Sequence, residues 1–157
     1  MARDGRYVTI AQFLAAFDAE LLKELTDGDP TKNPSEWVID QDKIAAAIAM
    51  AEGSADRYIS KRYKTPLSLE NITDEAACDI VKQAVLDLAL YRLYAKKGYA
   101  SNTEAKALYA GAADALKGIS EGSTELPGAE TQSRKRTLYS APRRRFGNHH
   151  CITNADD

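Results

Sequence analysis

Apolar residues recur at steps of three and four along two long stretches of this chain, and nothing else in the sequence constrains the fold as tightly. In the first stretch Ile44, Ala47, Ile48, Ala51, Ala55, Tyr58 and Ile59, closing on Arg62, form one continuous stripe. In the second, Ala77, Ile80, Val81, Ala84, Val85, Leu88, Tyr91 and Ala95 share a face, while Leu86, Leu90 and Leu93 point elsewhere. This is the period of an α-helix; a half-buried strand would alternate every second residue. The first stretch is therefore expected to be a helix capped by Asp40 or Asp42, running to about Tyr63 and ended by Pro66. The second is expected to be capped by Thr73, to run from about Asp74 to Lys97 and to stop at Gly98. Because it is apolar nearly all round, it belongs at the centre, surrounded by other helices.

Shorter helices complete the pattern. Thr9 with Gln12 is a capping box opening a helix that carries Ile10, Phe13, Leu14 and Phe17, and Asp18 can cap another holding Leu21, Leu22 and Leu25. The stretch from Thr26 to Ser35, crowded with Asp, Gly, Asn and Pro, reads as a surface loop, with Trp37 and Val38 packing back on the body. Ser101 with Glu104 forms a second box, opening a helix with Ala105, Leu108, Tyr109, Ala112, Leu116 and Ile119 on one face, closed by Gly122. After Gly122 the period is lost. The expected fold class is all-α, a compact bundle of about five helices (residues 1–122) with an extended, irregular, flexible basic C-terminal arm (residues 123–157).

A chain of 157 residues buries roughly two-thirds of its unfolded surface, so this one needs neither disulfide nor metal to fold. No apolar run reaches the roughly 18 residues that span a bilayer, the first residues lack a signal-peptide core, and no membrane partner is expected. A cytosol-like compartment fits Cys78 in a helix and Cys151 in the tail, which are not expected to pair. Charge is divided unevenly. Residues 1–122 hold 15 Lys and Arg against 19 Asp and Glu, a net of −4, whereas residues 123–157 hold 6 against 4, a net of +2. Body and arm should therefore meet different partners.

Catalysis needs a base beside a nucleophile or metal, and the only histidines are His149 and His150 in the tail. No enzyme, cofactor or metal is expected. His149-His150-Cys151 reads as a solvated tail segment, and Asp27-Gly28-Asp29 lacks the later acidic ligand of a calcium loop. Asp87 sits mid-helix among leucines, where burial would demand a partner. An ion pair with Arg62 is expected, the alternatives being solvent or a local pair with Arg92. The tyrosines at 58, 63, 91, 94, 99 and 109 read as core packing with hydroxyls at the surface, or as lining for a subunit interface. In the arm, Arg134, Lys135, Arg136, Leu138, Tyr139, Arg143, Arg144, Arg145 and Phe146 are the candidate docking residues. They suit an acidic protein groove or nucleic-acid phosphates, and the stretch from Thr137 to Ala141 could add a strand to a partner.

Three blocks carry a resemblance. Tyr7-x-Thr9 followed by Leu21-Leu22-x-x-Leu25-Thr26-Asp27 is the first. The second runs from Ile39-Asp40 to Tyr58-Ile59-x-x-Arg62-Tyr63-x-x-Pro66-Leu67, and the third is Asp87-x-Ala89-x-Tyr91-Arg92-Leu93-Tyr94. In order and spacing they resemble the Mu-like phage and prophage head–tail connector family (neck adaptor or head-completion proteins), over roughly residues 7–120, with Tyr58, Tyr63, Pro66, Tyr91 and Tyr94 as motif core. The resemblance implies a structural virion protein whose copies form a ring, a dodecamer in the virion, beneath the portal protein. DNA would pass through the lumen without sequence-specific binding, and a tail-completion or tail-terminator protein would attach below. It would sit in the bacterial host cytoplasm during assembly and then in the virion neck. The rival readings are a small nucleic-acid-binding protein using the basic arm, and a cytosolic regulatory adaptor.

Overall fold

The computed structural model describes residues 5–132. Within them the chain folds into five α-helices and no strands: α1 (Ile10–Ala16), α2 (Ala19–Thr26), α3 (Gln41–Ile59), α4 (Glu75–Lys96) and α5 (Thr103–Glu121). The all-α bundle expected from periodicity is what forms. The Thr9–Gln12 capping box is complete, each side chain accepting from the other residue's backbone N–H at 3.2 and 2.9 Å. Asp18 caps α2, accepting from the Glu20 N–H at 2.7 Å, and Asp40, not Asp42, caps α3.

The α2–α3 connection is fastened at several points. The Trp37 indole N–H donates to the Asp29 carbonyl at 3.1 Å, and the Asp27 carboxylate accepts from the Val38 N–H at 3.2 Å. A short 3-10 turn, Pro34–Glu36, lies between. Thr26, assigned to the loop by its neighbours, instead ends α2 fully buried. Its hydroxyl donates to the Leu22 carbonyl at 2.7 Å and accepts from the Asp40 N–H at 3.1 Å, so both capacities of a buried polar group are used.

α4 packs against α3, α5 and α2, the central position that its apolar circumference demands. Ala47, Ala51 and Ala55 are buried on α3, where small side chains let helices approach closely. Gly98 (φ +84°) and Gly122 (φ +89°) end α4 and α5 in the left-handed region. Two helices start one residue later than their sequence signals suggest. Asp74, not Thr73, caps α4: its carboxylate accepts from the Ala76 N–H at 3.1 Å, while the Thr73 hydroxyl is turned to the Pro127 carbonyl at 3.4 Å. Asn102, not Ser101, caps α5 and accepts from the Glu104 N–H at 3.0 Å, so the expected box does not form.

Two larger corrections concern the ends of the body. α3 stops at Ile59, short of Tyr63, because residues 62–64 leave the helix to pair with a later segment. That segment is residues 123–132, expected to be the loose start of the arm. Leu126 is buried and its N–H donates to the Tyr63 hydroxyl at 3.1 Å. The Lys64 N–H donates to the Glu130 carbonyl and the Gln132 N–H to the Arg62 carbonyl, both at 2.8 Å, around an antiparallel bridge between Tyr63 and Thr131. Gly128 (φ +89°) lets the backbone graze the Asn71 carbonyl, where a Cβ would lie only 2.0 Å away. The helical body is therefore strapped by ten further residues.

Candidate interaction surface

The arm residues Arg134, Lys135, Arg136, Leu138, Tyr139, Arg143, Arg144, Arg145 and Phe146 lie outside the described residues, as do His149, His150 and Cys151. Within them, the expected Arg62–Asp87 pair is not made. Arg62 donates to Glu125 at 2.9 Å and lies over Gly122, while Asp87 accepts from the Gln83 amide at 2.8 Å, one helical turn away. Asp87 is only partly buried, so a neighbouring amide suffices in place of a cation. Burial still lifts its carboxyl above the usual carboxylate value.

The charge that burial does capture is Glu52, 3% exposed in the middle of α3. Its carboxylate accepts from the Tyr7 backbone N–H at 2.7 Å and faces Arg6 at 3.6 Å. Arg6 also reaches Asp56 at 2.8 Å, and the Tyr7 hydroxyl donates to Asp56 while accepting from the Leu67 N–H at 2.9 Å. Burial, then the hydrogen bond to Asp56, raises the Tyr7 phenol well above its ordinary pKa. Sequence reasoning missed this network because Glu52 lies among alanines and its partners are some 45 residues away. Of the motif residues, Tyr63 and Tyr94 are buried, Tyr58 and Tyr91 half-buried, and Pro66 is exposed after a cis peptide bond. The Tyr94 hydroxyl reaches Glu104 at 3.4 Å.

A second feature was also unanticipated. Where α3, α4 and α5 meet the surface, Ser54, Arg57, Tyr58, Lys61, Leu88, Arg92 and Tyr109 line a hollow of about 360 Å³. Arg57 lies in the last turn of α3 and Lys61 in the turn that follows it, its ammonium 5.5 Å from the Tyr58 ring centroid. Arg92 enters from α4, donating to the Ser54 hydroxyl at 3.2 Å, while its Nε is buried with no hydrogen-bond partner among the described residues. The ion pairs among the described residues use Arg6, Lys23, Lys32, Lys43, Arg62, Lys64, Lys82 and Lys117, none of these three. Tyr109, packed against Tyr91 with ring centroids 4.9 Å apart, forms one wall. A neighbouring hollow of about 320 Å³ shares Arg92 and adds Met50 and Lys96. The arrangement is a concave surface with unneutralised cations over apolar walls, suited to carboxylates or phosphates carried on a partly apolar partner.

A family model described as Bacteriophage Mu, Gp36 matches residues 7–141. The chain belongs to the bacteriophage Mu Gp36 family. It is accordingly a Mu-like phage protein, and the family match runs through all five helices, the strap and the first basic triplet, stopping before Arg143. Comparison with curated proteins and with solved structures gives no match. The Gp36-family match begins at Tyr7, the residue that fastens the N-terminal segment to Glu52 and Asp56.

Proposed function

We propose that this protein is a structural virion protein, the head–tail connector of a Mu-like phage or prophage, acting by assembly and not by catalysis. Its copies form a ring beneath the portal, the genome passes through the lumen, and the tail-completion or tail-terminator protein attaches below. The observation that carries the reading is the Gp36-family match over residues 7–141, together with the three sequence blocks that resemble connector proteins. The physical character of the chain supports it. A rigid helical body gives a ring subunit defined lateral faces, and the acid excess of residues 1–122 suits a channel wall that DNA must pass without adhering. The basic triplets with Leu138, Tyr139 and Phe146 suit capture by a groove on the portal.

Co-expression with the portal protein from the same gene neighbourhood, followed by electron microscopy of the purified complex, tests this. A ring stacked coaxially on the portal is the expected result. A bare portal, with this protein bound to DNA in a salt-sensitive manner that disappears when Arg134, Arg136 and Arg143–Arg145 are replaced, would favour the nucleic-acid-binding reading instead. Deleting residues 133–157 is expected to leave the strapped body folded and to block neck assembly.

A further inference from the structure

We propose that the hollow bearing Arg57, Lys61 and Arg92 receives the acidic turn around Glu36 and Val38 of a second copy of this chain. The proposal deepens the ring reading and rests on it for repetition of the contact. An occupant must bring carboxylates to three cations that no carboxylate among the described residues pairs with, and an apolar group to walls made by Tyr58, Leu88 and Tyr109. This chain carries that combination. Residues 18–42 contain eight Asp and Glu against two Lys. Several of these are used internally: Asp18 and Asp40 cap helices, Glu20 pairs with Lys23, and Asp27 with Lys32. Glu36 and Asp42 are exposed and enter none of the ion pairs. Between them Val38 stands 64% exposed, the most exposed of the large hydrophobic side chains described. The turn is held in shape before any docking, by the Trp37 bond to the Asp29 carbonyl and the Val38 bond to Asp27, so little ordering cost attaches to binding it.

A chain cannot fill its own hollow in this way. The acidic turn immediately precedes Gln41 at the start of α3, and Arg57 lies sixteen residues further along that helix, about 24 Å at the helical rise. The two surfaces differ, so the contact is head-to-tail, the kind that closes into a ring when the rotation allows. Duplex DNA suits the hollow less well. Phosphates are read along extended basic surfaces, and a concave site with tyrosine walls leaves an exposed Val38 without a role.

The test uses the full chain with Lys61→Glu and with Glu36→Lys, both exposed positions, with thermal melting to confirm intact folding. Self-association is followed by sedimentation velocity over a concentration series, and ring formation by electron microscopy with the portal. Each substitution alone is expected to weaken self-association by about tenfold or more. An equimolar mixture of the two variants is expected to recover it, because the two reversed charges face each other at one contact while the unsubstituted hollow and turn meet at the next. Unimpaired association by the single variants, or a mixture that fails to recover, overturns the contact. If those variants still form rings on the portal, the ring reading stands without it. An unsubstituted chain that forms neither oligomer nor ring, even with the portal, removes both. Loss of portal or DNA binding by Lys61→Glu with self-association intact gives the hollow a different occupant and overturns the proposal.

Discussion

Residues 5–9 and residues 123–132 both cross the bundle without regular structure, and each is pinned by a tyrosine hydroxyl, yet different physics holds them. The N-terminal segment is fastened by charge: Glu52 holds the Tyr7 N–H, and Asp56 holds the Tyr7 hydroxyl and Arg6. The C-terminal strap is fastened by the buried Leu126, by backbone bonds to residues 62, 64 and 73, and by the tight passage at Gly128. Its ion pairs, Arg62 with Glu125 and Lys64 with Glu130, involve largely exposed glutamates and contribute little. Polar fastening makes one end of the molecule sensitive to protonation, while apolar and backbone fastening leaves the other indifferent to it.

The largest expected effect tests the apolar side. Leu126→Ala should lower the unfolding free energy by about 3 kcal/mol in chemical denaturation, as for other truncated core leucines. The loss should be the same at neutral and alkaline pH; a loss under about 1 kcal/mol would mean the strap adds little to the core. Next, Glu52→Ala should cost about 2 kcal/mol, because the Tyr7 N–H is left buried without its acceptor. Hydrogen exchange should then show residues 5–9 opening while residues 123–132 stay protected, and simultaneous opening of both would erase the contrast.

Tyr7→Phe sharpens the comparison through pH, at a cost of about 1 kcal/mol below neutrality. The folded state holds the phenol protonated beyond its ordinary range, so the stabilisation is complete below the unfolded value of about 10 and is lost as pH rises above it. The unsubstituted protein should therefore lose stability above about pH 10 more steeply than Tyr7→Phe, and parallel alkaline limbs would refute the linkage. The smallest effect is expected at Asp87→Asn. Burial raises that carboxyl, so the ionised form costs stability at neutral pH, and removing the charge should raise the unfolding free energy slightly in chemical denaturation, by less than about 1 kcal/mol given the remaining solvent contact.

Most of the helical architecture was legible before any coordinates. The two long stripes, the Thr9–Gln12 box, the Asp18 cap and the glycine stops at 98 and 122 are local signals, each decided within a few residues along the chain. The misassigned starts of α4 and α5 differ by one residue, because two adjacent polar residues can both cap and only the surrounding packing chooses between them. The candidate surface was less legible. Arg57 and Lys61 could have been paired by their spacing, but nothing local brings Arg92 and Tyr109 from two other helices to join them.

The sequence by itself determined that this chain is helical, where its helices begin and end to within a few residues, and that body and arm carry opposite charge. Tertiary structure alone decided which carboxylate is buried, that residues 123–132 belong to the body, and that three cations without an ion pair among the described residues share one hollow. The reason is range. Helix periodicity and capping are contacts between residues three or four apart, written in consecutive letters. Glu52 with Tyr7, Leu126 with Tyr63 and Arg92 with Ser54 join residues separated by 45, 63 and 38 positions, and such pairs exist only once the helices have packed.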